Sequence, residues 1–158
     1  MATEEKKKEN LLEMLSYTVF GLAQGMWELF GDSSFATSTT IGDMMVARAE
    51  KAAGLEVQGE TPDEILTEIV RLSVDELGLM EDGKAVFTGD HITIECDHCK
   101  GCTMCNGLQS HGVQPFYCSM FCMASSALRE GTGHKNRFLS RKYDEGTKTC
   151  TIEIQTMQ

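Results

Sequence analysis

Positive charge is scarce in this chain. Lys and Arg number 14 against 24 Asp and Glu, so the formal net charge is −10 over 158 residues. The basic residues form one short run, Lys6 to Lys8, and one looser group, Lys135, Arg137, Arg141 and Lys142. Both are expected on solvated surface. A protein that tracks nucleic-acid phosphates needs a basic face, so nucleic acid is not an expected partner. Long apolar runs are also missing. None approaches the ~18 residues of a membrane-spanning helix. The opening MATEEKKKEN has no apolar core behind it, unlike a signal peptide. These absences lead to the expectation of a cytoplasmic protein. No G-x-S-x-G elbow, Walker phosphate loop or dinucleotide glycine fingerprint occurs. The four histidines form no catalytic set: His91 begins a predicted strand, His98 and His111 flank cysteines, and His134 lies in a Gly-rich break.

Cysteine, by contrast, is dense. Six of the 7 cysteines fall between Glu95 and Cys122, in ECDHCKGCTMCNGLQSHGVQPFYCSMFC. Cys96, Cys99, Cys102 and Cys105 recur with two residues between each, a spacing by which a tight turn aims both sulfurs at one point. Cys118 and Cys122 stand four apart, which on a helix puts both on one face. In a reducing compartment such clusters bind metal or do redox work more often than they form structural disulfides. An odd count fits a disulfide framework poorly. Soft thiolates favour zinc, copper(I) or an iron–sulfur cluster over hard cations.

The rest of the chain reads as one domain. Hydrophobic content of 41% and charged content of 24% are ordinary for a soluble globular protein. The first eight residues are expected as a disordered tail and residues 9–80 as a helical part. Leu11, Leu12, Leu15, Val19, Leu22, Met26, Leu29 and Phe30 recur at three- and four-residue steps, giving a helix from about Glu9 to Phe30. Phe20 and Trp27 widen that stripe, so the helix is expected to be buried on more than one side. Gly21 and Gly25, one turn apart, point to close approach of another helix, across a dimer interface or within the chain. GDSSFATSTT is read as a loop. A second helix follows a Thr40 cap, with Ile41, Met44, Met45, Ala49 and Ala52 on its apolar side and Gly54 at its end. Thr61-Pro62-Asp63-Glu64 is a helix start: cap, proline in the first turn, glutamate at the third position. Ile65, Leu66, Ile69, Leu72 and Val74 give the stripe of that third helix.

Residues 84–156 are expected to hold the sheet, the Cys-rich loop and a fourth helix. Lys84–Thr88 and His91–Glu95 read as a hairpin, Pro115 opens the fourth helix, and Arg137–Tyr143 with Lys148–Thr156 form a closing hairpin. Cys150 shares the parity of Ile152 and Ile154 and is expected as a small core residue. The fold class is therefore α+β, with N-terminal helices packed on an antiparallel sheet and a Cys-rich metal loop.

Three readings of the cysteines stay open. C-x2-C-x2-C begins the cubane-binding run of bacterial ferredoxins, although Cys105 comes one residue early and Asn106 stands where that run has proline. A [4Fe-4S] cluster would draw its ligands from Cys96, Cys99, Cys102, Cys105, Cys118 and Cys122. Structural Zn2+ would pair one C-x2-C knuckle with Cys118 and Cys122, and His98 or His111 could replace a thiolate. Metal-free thiol chemistry would centre on Cys118, near a helix N-terminus that lowers thiol pKa.

The stretch QPFYCSMFCMASSALREGTGHKNRFLSRKYDEGTKTCTIEI resembles the C-terminal half of the 4-vinyl reductase (hydrocarbon-binding) domain family. Cys118 looks like that family's helix cysteine, and Gly146 with Cys150-Thr151-Ile152-Glu153-Ile154 looks like the end of its hairpin. TIGDMMVARAEKAAG is similar to its second helix. The family usually carries another cysteine where Lys142 stands here. The resemblance implies a fold like TRAPP vesicle-tethering subunits and haem NO-binding relatives, a homodimer formed through the helices, and binding of a small hydrophobic ligand. The function expected is a non-catalytic ligand-binding or redox-sensing accessory domain that acts through a partner regulatory or redox protein. Its apolar pocket would be lined by Phe20, Trp27, Met44, Met45 and Phe121. Two other classes are weighed beside it: a small [4Fe-4S] electron-transfer protein, whose −10 charge suits a basic partner face, and a thiol/disulfide reductase using Cys118 or Cys122.

Overall fold

The computed structural model describes residues 1–54 and 56–157. Leu55 of the expected connector and the side chain of Ala52, expected on an apolar helix side, lie outside the described residues.

Helix α1 spans Glu4–Phe30. It begins well before the expected Glu9, so most of the expected tail is helical. Thr3 accepts the Lys6 amide as the cap, Glu4 and Glu5 sit where the helix dipole favours negative charge, and Lys6–Glu9 and Lys7–Glu4 pair along the surface. A 3-10 turn, Gly31–Phe35, replaces the expected loop and leads into α2, Ala36–Ala53, which ends at left-handed Gly54. Helix α3, Pro62–Arg71, has the capping box read from Thr61 and Glu64. Ile65, Leu66, Ile69 and Leu72 are all at most 1% exposed.

Strands β1 (Asp82–Thr88), β2 (His91–Asp97), β3 (Lys135–Asp144) and β4 (Thr149–Met157) form one antiparallel sheet in the order β1-β2-β4-β3. Between β2 and β3 lie α4, Cys102–Ser110, and α5, Ser119–Thr132. The mixed helix-and-sheet class is as expected, and the helices cover one face of the sheet. That face is built from cross-strand pairs. Ile92 opposes Ile154, Ile94 opposes Ile152, and Cys96 opposes Cys150. The alternation that buries four isoleucines at 0–1% exposure also buries the two cysteines, at 0% and 2%. Each such isoleucine contributes roughly 1.5–3 kcal/mol of burial, so the register that places the cysteine pair is strongly held.

Two apolar clusters make up the interior. The larger joins α2, α3 and α5 to the sheet. The smaller gathers Cys105, Leu108, Val113, Phe116 and Tyr117 under α1. Among the described residues no helix is long and apolar enough to cross a membrane.

Candidate metal and thiol centre

The two clusters meet at a cavity of about 20 Å³, room for about one water-sized body. Six cysteines line it: Cys96, Cys99, Cys102, Cys105, Cys118 and Cys150, together with Tyr117 and Arg141. Every one of them except Cys99 is buried, and all six are free thiols.

Each sulfur arrives by its own route. Cys96 and Cys150 come from the central strands, as the last of the three cross-strand layers. Cys102 and Cys105 stand three apart on α4, and with Leu108 they form its buried face. Cys118 caps α5, and Cys99 lies in the turn before α4.

Arg141 comes from a β-bulge. Phe138 pairs with Ile154 and Ser140 with Glu153, so Leu139 is an extra residue in β3. Without it, inward-facing Phe138 would turn Arg141 to solvent. The bulge shifts the parity, Arg141 pairs with inward-facing Ile152, and its side chain is 7% exposed. The surface placement expected for Arg141 is thereby corrected. Its guanidinium donates to Asn106 Oδ1 at 2.9 Å and to Gln109 Oε1, both neutral. No carboxylate pairs with it among the described residues, and one terminal nitrogen has no partner. A buried cation in this position calls for negative charge close by.

The thiols answer that demand. Cys102 is lowered to about 3, chiefly by hydrogen bonding to the Cys150 and Cys99 thiols, with burial opposing and Arg141 adding. Cys118 is lowered to about 7, first by the Cys105 thiol and then, against burial, by the Phe121 and Met120 amides at the start of α5 and by Arg141. Burial pushes the Cys96 thiol up. Cys99, Cys105 and Cys150 are pushed up as donors to these two thiolates. The Tyr117 hydroxyl is buried beside Cys105 without a hydrogen-bond partner, and burial raises it.

Cys122, expected in the metal set, lies outside the lining. It is fully buried and its thiol donates to the Phe116 carbonyl at 3.4 Å. The reason is the conformation of Cys118, whose φ of −58° and ψ of 117° are not helical. The two residues therefore do not share the helix face that their spacing implied. Cys150, expected as plain core, takes the sixth place in the lining instead. His98 and His111 do not line the cavity either. His98 faces Glu81 at 3.6 Å, and His111 bonds the Gly107 carbonyl at 2.7 Å.

As the side chains stand, no three His, Cys, Asp or Glu donors converge tightly enough to hold a metal ion among the described residues. The donor chemistry nevertheless fits a soft metal. Six thiols line one small cavity, two are biased to thiolate, and the two orphaned donors, on Tyr117 and Arg141, suit an anionic centre.

The apolar pocket differs from expectation. A cavity of about 540 Å³ is lined by Phe35, Phe121, Phe138, Leu139 and Met157, with Asp32, Gln114, Asn136 and Arg137 at its polar side. Phe121 alone of the expected lining is present. Phe20, Met26 and Trp27 pack on the smaller cluster, Met45 packs on the larger, and Met44 is 70% exposed.

The family model described as "Putative rubredoxin C-terminal domain" matches residues 12–157. No curated protein matches the chain. Among solved structures, the phenol-responsive sensory domain of the transcription activator PoxR, with phenol, is similar over 89% of this chain and 74% of its own, at TM-score 0.54 and 15% identity. A mutant of T. Tengcongensis H-NOX is similar over 84% of this chain and 68% of its own, at TM-score 0.47 and 8% identity. At such identities the likeness to the sensory domain is one of fold.

Proposed function

The chain belongs to the putative rubredoxin C-terminal domain family, and from that premise we propose a sensor-type accessory domain built around a thiolate-bound soft metal. The observation that carries the reading is that six cysteines line one small cavity beside a buried arginine that has no carboxylate partner among the described residues. The ligands are drawn from Cys96, Cys99, Cys102, Cys105, Cys118 and Cys150. The space admits a single ion such as zinc as it stands, whereas an iron–sulfur cluster would need the thiols to draw apart; the one would supply a structure-closing and the other a redox-active thiolate centre. The chain does the rest. Arg141 offsets the negative charge of the sulfurs, Tyr117 offers a hydroxyl donor beside Cys105, and the buried wall keeps water out. Cys99, the one lining thiol that is only partly buried, is the one an oxidant would meet first.

The cavity floored by Phe35, Phe121 and Phe138 suits a small aromatic or aliphatic molecule. The resemblance to the hydrocarbon-binding 4-vinyl reductase domain and the fold shared with a phenol-responsive domain support such a ligand. Both cavities lie against α5, with Phe121 in one and Cys118 in the other, so a change at either would be felt by the same helix.

The test is an absorption spectrum of anaerobically purified protein with metal analysis on the same sample. Iron with sulfide and a visible band that bleaches on reduction supports a redox centre, and about one zinc per chain supports a structural one. Folded protein with neither metal contradicts the reading. A second reading, metal-free thiol/disulfide switching, is favoured by one observation. Cys96 and Cys150 are directly opposed across antiparallel strands, with the Cys102 thiolate beside them. The spacing of opposed strand residues, about 4.5–5.5 Å between Cα atoms, lies in the range a disulfide bridges.

A further inference from the structure

Four buried side-chain polar atoms lack a hydrogen-bond partner among the described residues. Two of them, on Tyr117 and Arg141, belong to the thiol centre. The other two are Ser125 Oγ and Asn136 Oδ1, and both residues line a second cavity of about 380 Å³. Leaving a buried polar group unpaired is costly, so this pair asks for a missing partner. The amide nitrogen of Asn136 donates to the Ser125 carbonyl at 3.2 Å and to the His134 carbonyl at 3.3 Å. Both partners are acceptors. The orientation of the amide is thereby fixed, and Oδ1 is left in want of a donor.

The second cavity adjoins the aromatic one. Asn136 and Met157 line both. The two meet at the start of β3, where Lys135 opposes Met157 and Asn136 opposes Thr156. Each has a volume in the range of small-molecule sites. Their chemistry differs. The aromatic cavity holds one charge of each sign, Asp32 and Arg137, and so exerts no net pull on an ion. The second presents the Thr39, Ser125 and Ser126 hydroxyls with Arg129, His134 and Lys135. Asp43 pairs with Arg129 and accepts from Ser126, so that cation is already offset. No carboxylate pairs with Lys135 among the described residues. One positive charge is left over in a chain whose net charge is −10. A singly charged carboxylate balances it, and a doubly charged phosphate does not.

We propose that the adjoining cavities bind a carboxylate-headed amphiphile. Its apolar chain lies against Phe35, Phe121 and Phe138. Its carboxylate sits among Lys135 and the Thr39 and Ser125 hydroxyls. An N–H or O–H between the two donates to Asn136 Oδ1. N-acyl amino acids and hydroxy acids carry their groups in this order. The inference rests on the ligand cavity proposed above and adds the head group that it selects.

Calorimetric titration of the full chain tests it, with N-octanoylglycine, its methyl ester and an alkanoate of the same length as probes. The acid is expected to bind at least about tenfold more tightly than the ester, which cannot make a charge-assisted hydrogen bond. Lys135→Met is expected to erase that preference and to bind the ester as before. Lys135 is exposed, so the change spares the fold. The alkanoate lacks the N–H and is expected to bind about fivefold more weakly than the acylglycine. Equal affinity for acid and ester, or a preference that survives in Lys135→Met, overturns the head-group assignment and leaves the aromatic cavity standing. An alkanoate that binds as tightly as the acylglycine overturns the role of Asn136. Toluene bound without any of the three probes overturns the amphiphile alone. If toluene fails as well, the cavity reading falls with it.

Discussion

Replacing Arg141 by Met keeps the length of the side chain and removes its charge. Three consequences follow from the surroundings. Asn106 Oδ1 and Gln109 Oε1 lose their guanidinium donor, at about 1 kcal/mol each for half-buried acceptors. The Cys102 thiolate loses a nearby cation but keeps the Cys150 and Cys99 thiols that chiefly favour it, a loss of about 1–3 kcal/mol. Against this, a 7%-exposed guanidinium no longer has to be dehydrated. The net expectation for metal-free protein is a loss of about 2–4 kcal/mol near neutral pH. The loss depends on pH. Cys102 is depressed well below the range of a free thiol in the folded chain, first by the Cys150 and Cys99 thiols that donate to it and further by Arg141. Its thiolate therefore lends stability that is complete above the free-thiol value and lost as pH falls towards the folded one. In the Arg141→Met variant the folded value rises, so that contribution shrinks. The wild-type advantage in urea unfolding is expected to be greatest above the free-thiol value and to narrow in acid. Ultraviolet thiolate absorbance of the reduced, chelator-treated proteins reads the titration directly. An identical thiolate titration in the two proteins would refute the electrostatic role of Arg141, whatever the stability change.

Other substitutions separate the parts of the account. Cys150→Ser is expected to lower metal content sharply and Cys122→Ser to leave it unchanged, by metal analysis of anaerobic preparations. The opposite pattern would restore Cys122 to the ligand set. Gly42→Ala places a Cβ against the Cys122 carbonyl and 2.9 Å from Ser126 Cβ, where α2 crosses α5. The helices must part, lowering the urea midpoint by a cost of at least about 1–3 kcal/mol, and an unchanged midpoint would contradict the packing described. Thr61→Ala removes the acceptor of the Glu64 amide, the side-chain half of the α3 capping box, and leaves the backbone half in place; it is expected to cost about 1 kcal/mol in thermal unfolding, with the visible spectrum unaltered.

Local signals were legible in the chain. Thr61, Pro62 and Glu64 announce α3, and the alternation of Ile92 and Ile94, and of Ile152 and Ile154, announces the central strands. The pairing of β2 with β4 is not local, so nothing short-range says that Cys96 and Cys150 face each other. Parity alone marks Cys150 as inward, which is equally true of a core residue. Helix α4 was hidden because its buried face is Cys102, Cys105 and Leu108. Cysteines counted as ligands were not counted as the small apolar residues that give a helix its period. Arg141 was hidden by one inserted residue. A bulge at Leu139 leaves no compositional trace, yet it decides whether the charge faces water or the thiols. Cys118 and Cys122 show the converse error, in which a spacing valid inside a helix was applied across its first residue.

X-ray absorption at the edge of the bound metal, on protein purified without oxygen, tests the thiolate assignment most directly. The account predicts a first shell of sulfur alone, at about 2.3 Å if the metal is zinc. It also predicts that this shell is altered by Cys102→Ser or Cys118→Ser and kept in Cys122→Ser. A first shell of nitrogen and oxygen would place the metal away from the six cysteines and contradict the account.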